Sequence, residues 1–357
     1  MRQPPAPFSC TYTPNVAELL QQLGCTIAIT TYQAGKLIFI SSNGPNQLTQ
    51  LPRDFRKAMG LAVDGRRMAI ATYDEVVTLA NAKGLARNYP PKPNTYDALY
   101  LPRAIYPVGM VDLHDMDWDK QGRLWAVNTR FSCLSIIDDH YSFRPAWKPP
   151  FIKTFEPTDL CHLNGMVMVD GAPKYVTMFG QTTTPKGWRP GVQTDGLIME
   201  VPSGEIVAQN LPMPHSPRWI NGELYCLLSA TGELVKIDRY TGRYDVVTRL
   251  SGFVRGMAHI GDYVFVGMSK LRENASVFRD LPITKKAVYC GVEIIHLPTG
   301  NPVGHIRYAA SVEELYDVQI INHLRPGILN HLTEQYKLAL NTPDYDFWSV
   351  DEPEVGS

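Results

Sequence analysis

Two stretches, MGLAVDGRRMAIAT (59–72) and HDMDWDKQGRLWAVNT (114–129), share one plan. Each reads as a short apolar strand, a turn of two to four residues and a second strand. The plan returns as NGMVMVDGAPKYVTM (164–178), HSPRWINGELYCLLS (215–229) and RGMAHIGDYVFVGMS (255–269), and more faintly as YDVQIINHLRPGIL from Tyr316. Successive copies start 55, 50, 51, 40 and 61 residues apart. That spacing is near the ~40–50 residues of a propeller blade. Asp64-Gly65, Asp170-Gly171 and Asn221-Gly222 supply turn pairs suited to tight hairpins. Further strand pairs, such as GVEIIHLPTGNPVGHIRY (291–308), complete four-stranded blades.

Outward from the repeats, the ends fit closure of a ring. CTIAITTYQAGKLIFIS (25–41) supplies strands with no repeat core of their own, and the last copy has little strand sequence after it. Pairing the two removes the open sheet edges. The expected fold is all-β: a single β-propeller spanning 1–357, with six blades, or seven if 26–41 forms its own. A helix is expected over about 15–23, where apolar residues fall at 16, 19, 20 and 23 after Pro14. A weaker helical stretch lies near 331–340. Segments 85–102 and 181–195 read as excursions from blades, and the acidic tail from about 343 to 357 as loosely held.

Composition narrows the function. In 357 residues, 34 Lys and Arg balance 35 Asp and Glu, a net charge of -1. Nucleic acid and anionic membrane partners normally need a basic surplus, so neither is expected. No apolar run approaches the ~18 residues of a transmembrane helix, and MRQPPAPFSCTYTP lacks the apolar region of an export signal. A cytoplasmic protein with reduced thiols is the expectation; the six cysteines show no C-x-x-C pair.

TYQAGKL (31–37), NGMVMVDGAPKYVTMFGQTTTPKGWR (164–189), MPHSPRWINGELY (213–225), FVRGMAHIGDYVFVGMSKLRE (253–273) and VEELYDVQ (312–319) together resemble a bacterial, propeller-like family known as a domain of unknown function. The resemblance covers roughly 25 to 320 and implies the fold, but no substrate. One departure is Lys186-Gly187-Trp188, where Gly-Gly-Trp is expected. Function must be argued from the site.

Aligned, the repeats place Met59, His114, Asn164, His215, Arg255 and Tyr316 at one mouth of the channel. His162 lies two residues before Asn164, so on a strand it points to the same side. Three imidazoles, His114, His162 and His215, predict a transition-metal site for Fe, Cu or Zn rather than Ca or Mg. Arg255 is the candidate clamp for a carboxylate or phosphate. Asn164, Trp188 and Arg189 are further substrate contacts, the last two on a loop that either closes over the channel or plugs it. Asp115 and Tyr316 are the candidate catalytic groups. His259 is expected to be structural. Asp115, Asp117 and Asp119 imitate a calcium loop, but Lys120 and Ala126 stand where Gly and Glu are required. No nucleotide-loop or serine-hydrolase signature occurs.

These residues point to a metal-dependent enzyme acting on a small polar molecule or a peptide side chain, with oxidative chemistry slightly ahead of hydrolysis. The alternatives are a non-catalytic interaction propeller and a lactonase-like hydrolytic one.

Overall fold

The structure, a computed structural model, describes residues 5–271, 278 and 280–349. Six antiparallel sheets radiate from one axis as the blades of a propeller. Blade 1 consists of 26–31, 36–42 and 48–54 with 318–321 as its innermost strand. Blade 2 is 61–63, 67–71, 75–81 and 98–107, blade 3 is 113–118, 124–128, 133–136 and 144–147, and blade 4 is 165–169, 172–178, 196–200 and 206–211. Blade 5 is 214–220, 223–228, 233–237 and 244–249; blade 6 is 253–260, 263–269, 290–296 and 301–308. The expected closure is present. Thr26–Thr31 pairs antiparallel with Val318–Ile321, so both ends of the chain share blade 1.

The last repeat differs from its expected form. Its first strand completes blade 1, but Pro326–Ile328 leaves for blade 2 and lies parallel to Ala98–Tyr100 as a fifth strand. Cys10–Tyr12 likewise adds to the outer edge of blade 6. Both additions cover edges that would otherwise expose unpaired backbone. The helix Asn15–Leu23 forms as expected and ends at Gly24, whose φ of 66° is the left-handed stop that glycine adopts freely. The weaker helix shrinks to Gln335–Leu338. The first part of the tail joins a small hairpin. Residues 339–341 pair with 346–348, and the Trp348 indole N–H donates to the Leu85 carbonyl at 3.1 Å. Residues 350–357 lie outside the described residues.

The apolar core is not central. Alternating residues of each strand fill the layers between neighbouring blades. One such layer joins Leu37 and Phe39 of blade 1 to Met68 and Ile70 of blade 2. Another joins Val127 of blade 3 to Met166 and Val176 of blade 4. All six cysteines are free, and burial pushes Cys25, Cys133, Cys161 and Cys226 up to about 12, so these thiols behave as packing groups. Among the described residues no helix is long and apolar enough to cross a membrane.

At the axis the blades are joined by a belt. The second residue of each repeat is, from blade 2 round to blade 1, Gly60, Asp115, Gly165, Ser216, Gly256 and Asp317. Small and polar alternate. Asp115 Oδ2 accepts from the Met166 N–H at 3.1 Å, Ser216 Oγ from the Gly256 N–H at 3.0 Å, and Asp317 Oδ2 from the Leu61 N–H at 3.1 Å. A Cβ on Gly60 would lie 3.1 Å from Asp115 Cα, and one on Gly256 2.8 Å from Asp317 Cα. One on Gly165 would lie 2.5 Å from Pro217 Cδ. A second tier of hydroxyls repeats the connection. Thr30, Thr129, Ser229 and Ser269 donate to the carbonyls of Met59, Leu163, Val254 and Leu315 in the next blade.

Gly165 has ordinary backbone angles, so its replacement tests sterics alone. Gly165→Ala is expected to cost about 1–3 kcal/mol, read as a lower urea midpoint with unchanged slope. A midpoint equal to wild type would show that the belt has slack.

Candidate functional site

The mouth at which the inner strands begin holds a chamber of about 150 Å³. Its roof is a cluster of apolar side chains from the blade excursions, including Trp188, Val192, Leu281 and Ile283. The loop 181–195 packs down over this mouth through Trp188 and Val192. Trp188 is buried within it, while Arg189 is exposed, with its guanidinium 5.7 Å from the Trp188 ring.

An arc of rings lines the mouth. Tyr316 meets His114 at 5.3 Å between centroids, His114 meets His162 at 5.1 Å, His162 stacks on Phe179 at 4.6 Å, and Phe179 meets His215 at 5.0 Å. The three expected histidines do gather at one end. They do not form the expected metal cage. Among the described residues no group of three or more His, Cys, Asp or Glu side chains is placed to hold a metal ion. The physical reason is Phe179, which packs against both His162 and His215.

Each imidazole is oriented by its Nδ1. That of His114 donates to the Asp112 carbonyl at 3.0 Å. The Nδ1–H of His162 donates to Asp159 Oδ2 at 2.9 Å. Ser229 gives its proton to the Val254 carbonyl, so its oxygen accepts from the His215 Nδ1–H at 2.7 Å. His114 and His215 share one tautomer, with Nε2 left as a lone-pair acceptor. Burial first, then His162 and Arg255, holds the His114 pKa well below the usual imidazole value. Burial, Arg255 and His162 do the same for His215. Both rings are neutral at pH 7.

His162 is not on a strand. It sits in a turn at φ 50°, and its own backbone N–H also binds Asp159, through Oδ1 at 2.9 Å. Asp159 in turn accepts the Trp188 indole N–H at 3.1 Å. Asn164 serves the same turn. Its side chain accepts from the Thr177 hydroxyl at 2.7 Å and donates to the His162 carbonyl at 3.2 Å, so both ends of its amide are engaged within the protein.

Arg255 supplies positive charge. Its guanidinium lies 3.5 Å above the Tyr316 ring centre and 3.8 Å from Glu314. The Tyr316 hydroxyl is buried without a hydrogen-bond partner among the described residues, and burial raises its pKa well above the usual phenol value. Lys270 also lines the chamber. Asp115 does not belong here. It lines a separate cavity further along the axis, with its carboxylate turned to Arg218 and the Met166 N–H. His259 opens into that same cavity and does not sit in the core as expected. Lys36 of the TYQAGKL segment pairs with Asp54 across its own hairpin.

Sequence reading passed over Asp159, Phe179 and Ser229. Asp159 stands three residues before His162, a spacing that could have flagged it. Phe179 has no signal of its own.

The profile of a family described as a domain of unknown function (DUF4915) matches residues 14–329. No curated protein matches the chain. Solved structures share its fold. A chain of the nidogen/laminin complex aligns with a TM-score of 0.55 at 12% identity, covering 84% of this chain and 99% of that one. A protein of unknown function from Bacteroides caccae aligns with a TM-score of 0.52 at 8% identity, covering 83% and 98%. A catalytically inactive virginiamycin B lyase variant from Staphylococcus aureus, crystallised with quinupristin, covers 84% and 99% at 12% identity, with a TM-score of only 0.42. Identities this low speak for the architecture alone.

The depressed imidazoles have a consequence for stability. A histidine whose folded pKa lies below its unfolded value stabilises above about pH 6.5 and loses that contribution as pH falls. Replacing His114 and His215 together by Asn is expected to make the urea midpoint less sensitive to acid between about pH 6.5 and 4.5. An acid slope identical to wild type would mean that these rings titrate normally.

Proposed function

Starting from the fact that the chain belongs to the DUF4915 family, we propose that it binds a small monoanionic molecule with a ring-sized apolar body and acts on it by proton transfer. The observation that carries this reading is the pair of neutral imidazoles, His114 and His215, each with Nδ1 committed and Nε2 left as an acceptor, together with the Asp159-held ring of His162 and the Arg255 cation.

Size supports it. A cavity of about 150 Å³ is the volume that accepts a benzene ring. Charge supports it as well. Among the described lining residues Arg255 and Lys270 face the single carboxylate of Glu314, which leaves one positive charge in that set. Glu314, at 3.8 Å, is too far to occupy the guanidinium donors. A carboxylate could therefore take them in the bidentate manner that suits arginine. His162, oriented by Asp159, is the base; Asp159 would stabilise the imidazolium formed when Nε2 accepts a proton. His215, which lines the chamber, accepts a hydrogen bond from the ligand, and His114 stands behind His162. Phe179 and Phe253 surround its body, with Trp188 packed behind Phe179. Tyr316 supports Arg255 from beneath, outside the chamber lining.

A second reading keeps the metal. Fixing Nδ1 through a carbonyl or carboxylate is the support that metal-bound imidazoles ordinarily have. The residue spacing opposes it, since Phe179 would have to move.

Benzoate is a suitable probe. Calorimetry is expected to show saturable binding that Arg255→Ala weakens at least about tenfold, a change of ~1.4 kcal/mol, and that a chelator leaves unchanged. Diethyl pyrocarbonate, which attacks unprotonated imidazole, should modify His162 Nε2, and benzoate should protect it. Absence of benzoate binding overturns the anion site. Binding abolished by the chelator and restored by Zn, Fe or Cu moves the assignment to the metal.

A further inference from the structure

The other end of the axis carries a cavity of about 270 Å³ that the upper chamber does not use. We propose that it is a binding site for a primary ammonium with a short apolar tail. The inference is independent of the anion site.

The argument begins with Arg218. Its Nε donates to the Met257 carbonyl at 2.6 Å and its Nη1 to the Pro217 carbonyl at 2.9 Å. Its remaining N–H groups face Asp115 at 3.6 Å and Asp317 at 3.5 Å. Those two carboxylates are also engaged in the belt, by the Met166 and Leu61 N–H groups. Arg218, Asp115 and Asp317 thus form a floor in which every group has a partner.

Above this floor three acceptors lack partners. Asp117 of blade 3 binds the Trp118 N–H through Oδ1 at 2.8 Å, and among the described residues nothing bonds its Oδ2. Gln319 of blade 1 uses its amide N–H on Asp317 at 3.4 Å, which leaves its carbonyl oxygen Oε1 as an acceptor. His259 of blade 6 has no hydrogen-bond partner among the described residues. Three inner strands therefore present a carboxylate oxygen, an amide oxygen and an imidazole nitrogen to one space. An ammonium has three N–H donors and no acceptor, and it satisfies such a set. Apolar lining from Ala62, Val63, Met166 and Met168 suits a short alkyl group.

Charge selects the same ligand. With its carboxylates ionised the cavity lining carries Asp115 and Asp117 against Arg218, with Asp317 behind Arg218, so a cation is attracted and an anion repelled. A metal ion fits less well, because among the described residues no group of three or more His, Cys, Asp or Glu is placed to hold one. Site occupancy should depend on pH. Burial pushes Asp117 up to about 6, with the Trp118 N–H and Arg218 pulling it down and Asp115 and Asp64 pushing it up. Burial and Arg218 keep His259 below the usual imidazole value. Gln319, also packed there, does not titrate, and Asp317 is pushed up to about 7 by burial. Acidification removes negative charge from the carboxyls and adds positive charge to His259, and both changes disfavour a cation.

The experiment is titration of the full chain with n-butylammonium, followed by calorimetry and by NMR shifts of the His259 ring. Butyrate and n-butanol serve as charge controls. Butylammonium is expected to bind with a Kd of about 1 mM or tighter at pH 7.5, and at least about tenfold more weakly at pH 5. Asp117→Asn and Gln319→Leu should each weaken it at least about threefold, while Arg255→Ala at the opposite mouth leaves it unchanged. Equal binding of butyrate, indifference to both substitutions, or loss in Arg255→Ala would overturn the assignment. Failure of benzoate to bind the upper chamber has no bearing on this result.

Discussion

The belt of alternating glycine and polar side chains at the axis is the constraint on which the rest depends. Each joint between inner strands is made in one of two ways. Gly60, Gly165 and Gly256 allow the next blade to approach their backbones. Asp115, Ser216 and Asp317 reach across the following joints and bond a main-chain N–H. Neither device works alone. A side chain in place of glycine would hold the blades apart, and a glycine in place of the polar residue would leave a buried N–H without a partner. Because the belt fixes where every inner strand begins, it also fixes where the residue just before it stands. His114, His215, Arg255 and Tyr316 meet at one mouth for that reason.

The two ends of the channel differ because the residues flanking the belt differ. On one side stand imidazoles, one guanidinium and a wall of aromatic rings. On the other stand carboxyls that Arg218 only partly neutralises. The floor shared by Arg218, Asp115 and Asp317 lies between these regions of opposite character. Buried ion pairs of this kind add little net stability, yet they resist alternative packing, since removing one partner strands the others.

Much of this was legible in the chain. Six repeat starts gave six blades, and N-terminal strands without a repeat core announced the closure with Val318–Ile321. The gathering of His114, His162 and His215 followed from the same alignment. The belt itself was in plain view as the second letter of each repeat. What the repeats could not convey was what stands between aligned residues. Phe179 comes from the end of a second strand, and its position between His162 and His215 depends on packing from two blades. Asp115 follows His114 directly, yet its carboxylate serves the opposite cavity, because the belt turns it toward the neighbouring strand. His162 reached the expected place by an unexpected route, a left-handed turn held by Asp159.

Closure through blade 1 also orders the life of the chain as it is made. Three strands of that blade are complete once residue 54 has emerged, but their innermost partner ends at residue 321. At ~5–20 residues per second, a ribosome needs roughly 13–53 s to deliver it. For that interval Thr26–Thr31 offers an apolar, unpaired edge to the cell. The first blade to be synthesised is thus the last to be finished, and nascent-chain protection matters most for its opening segment.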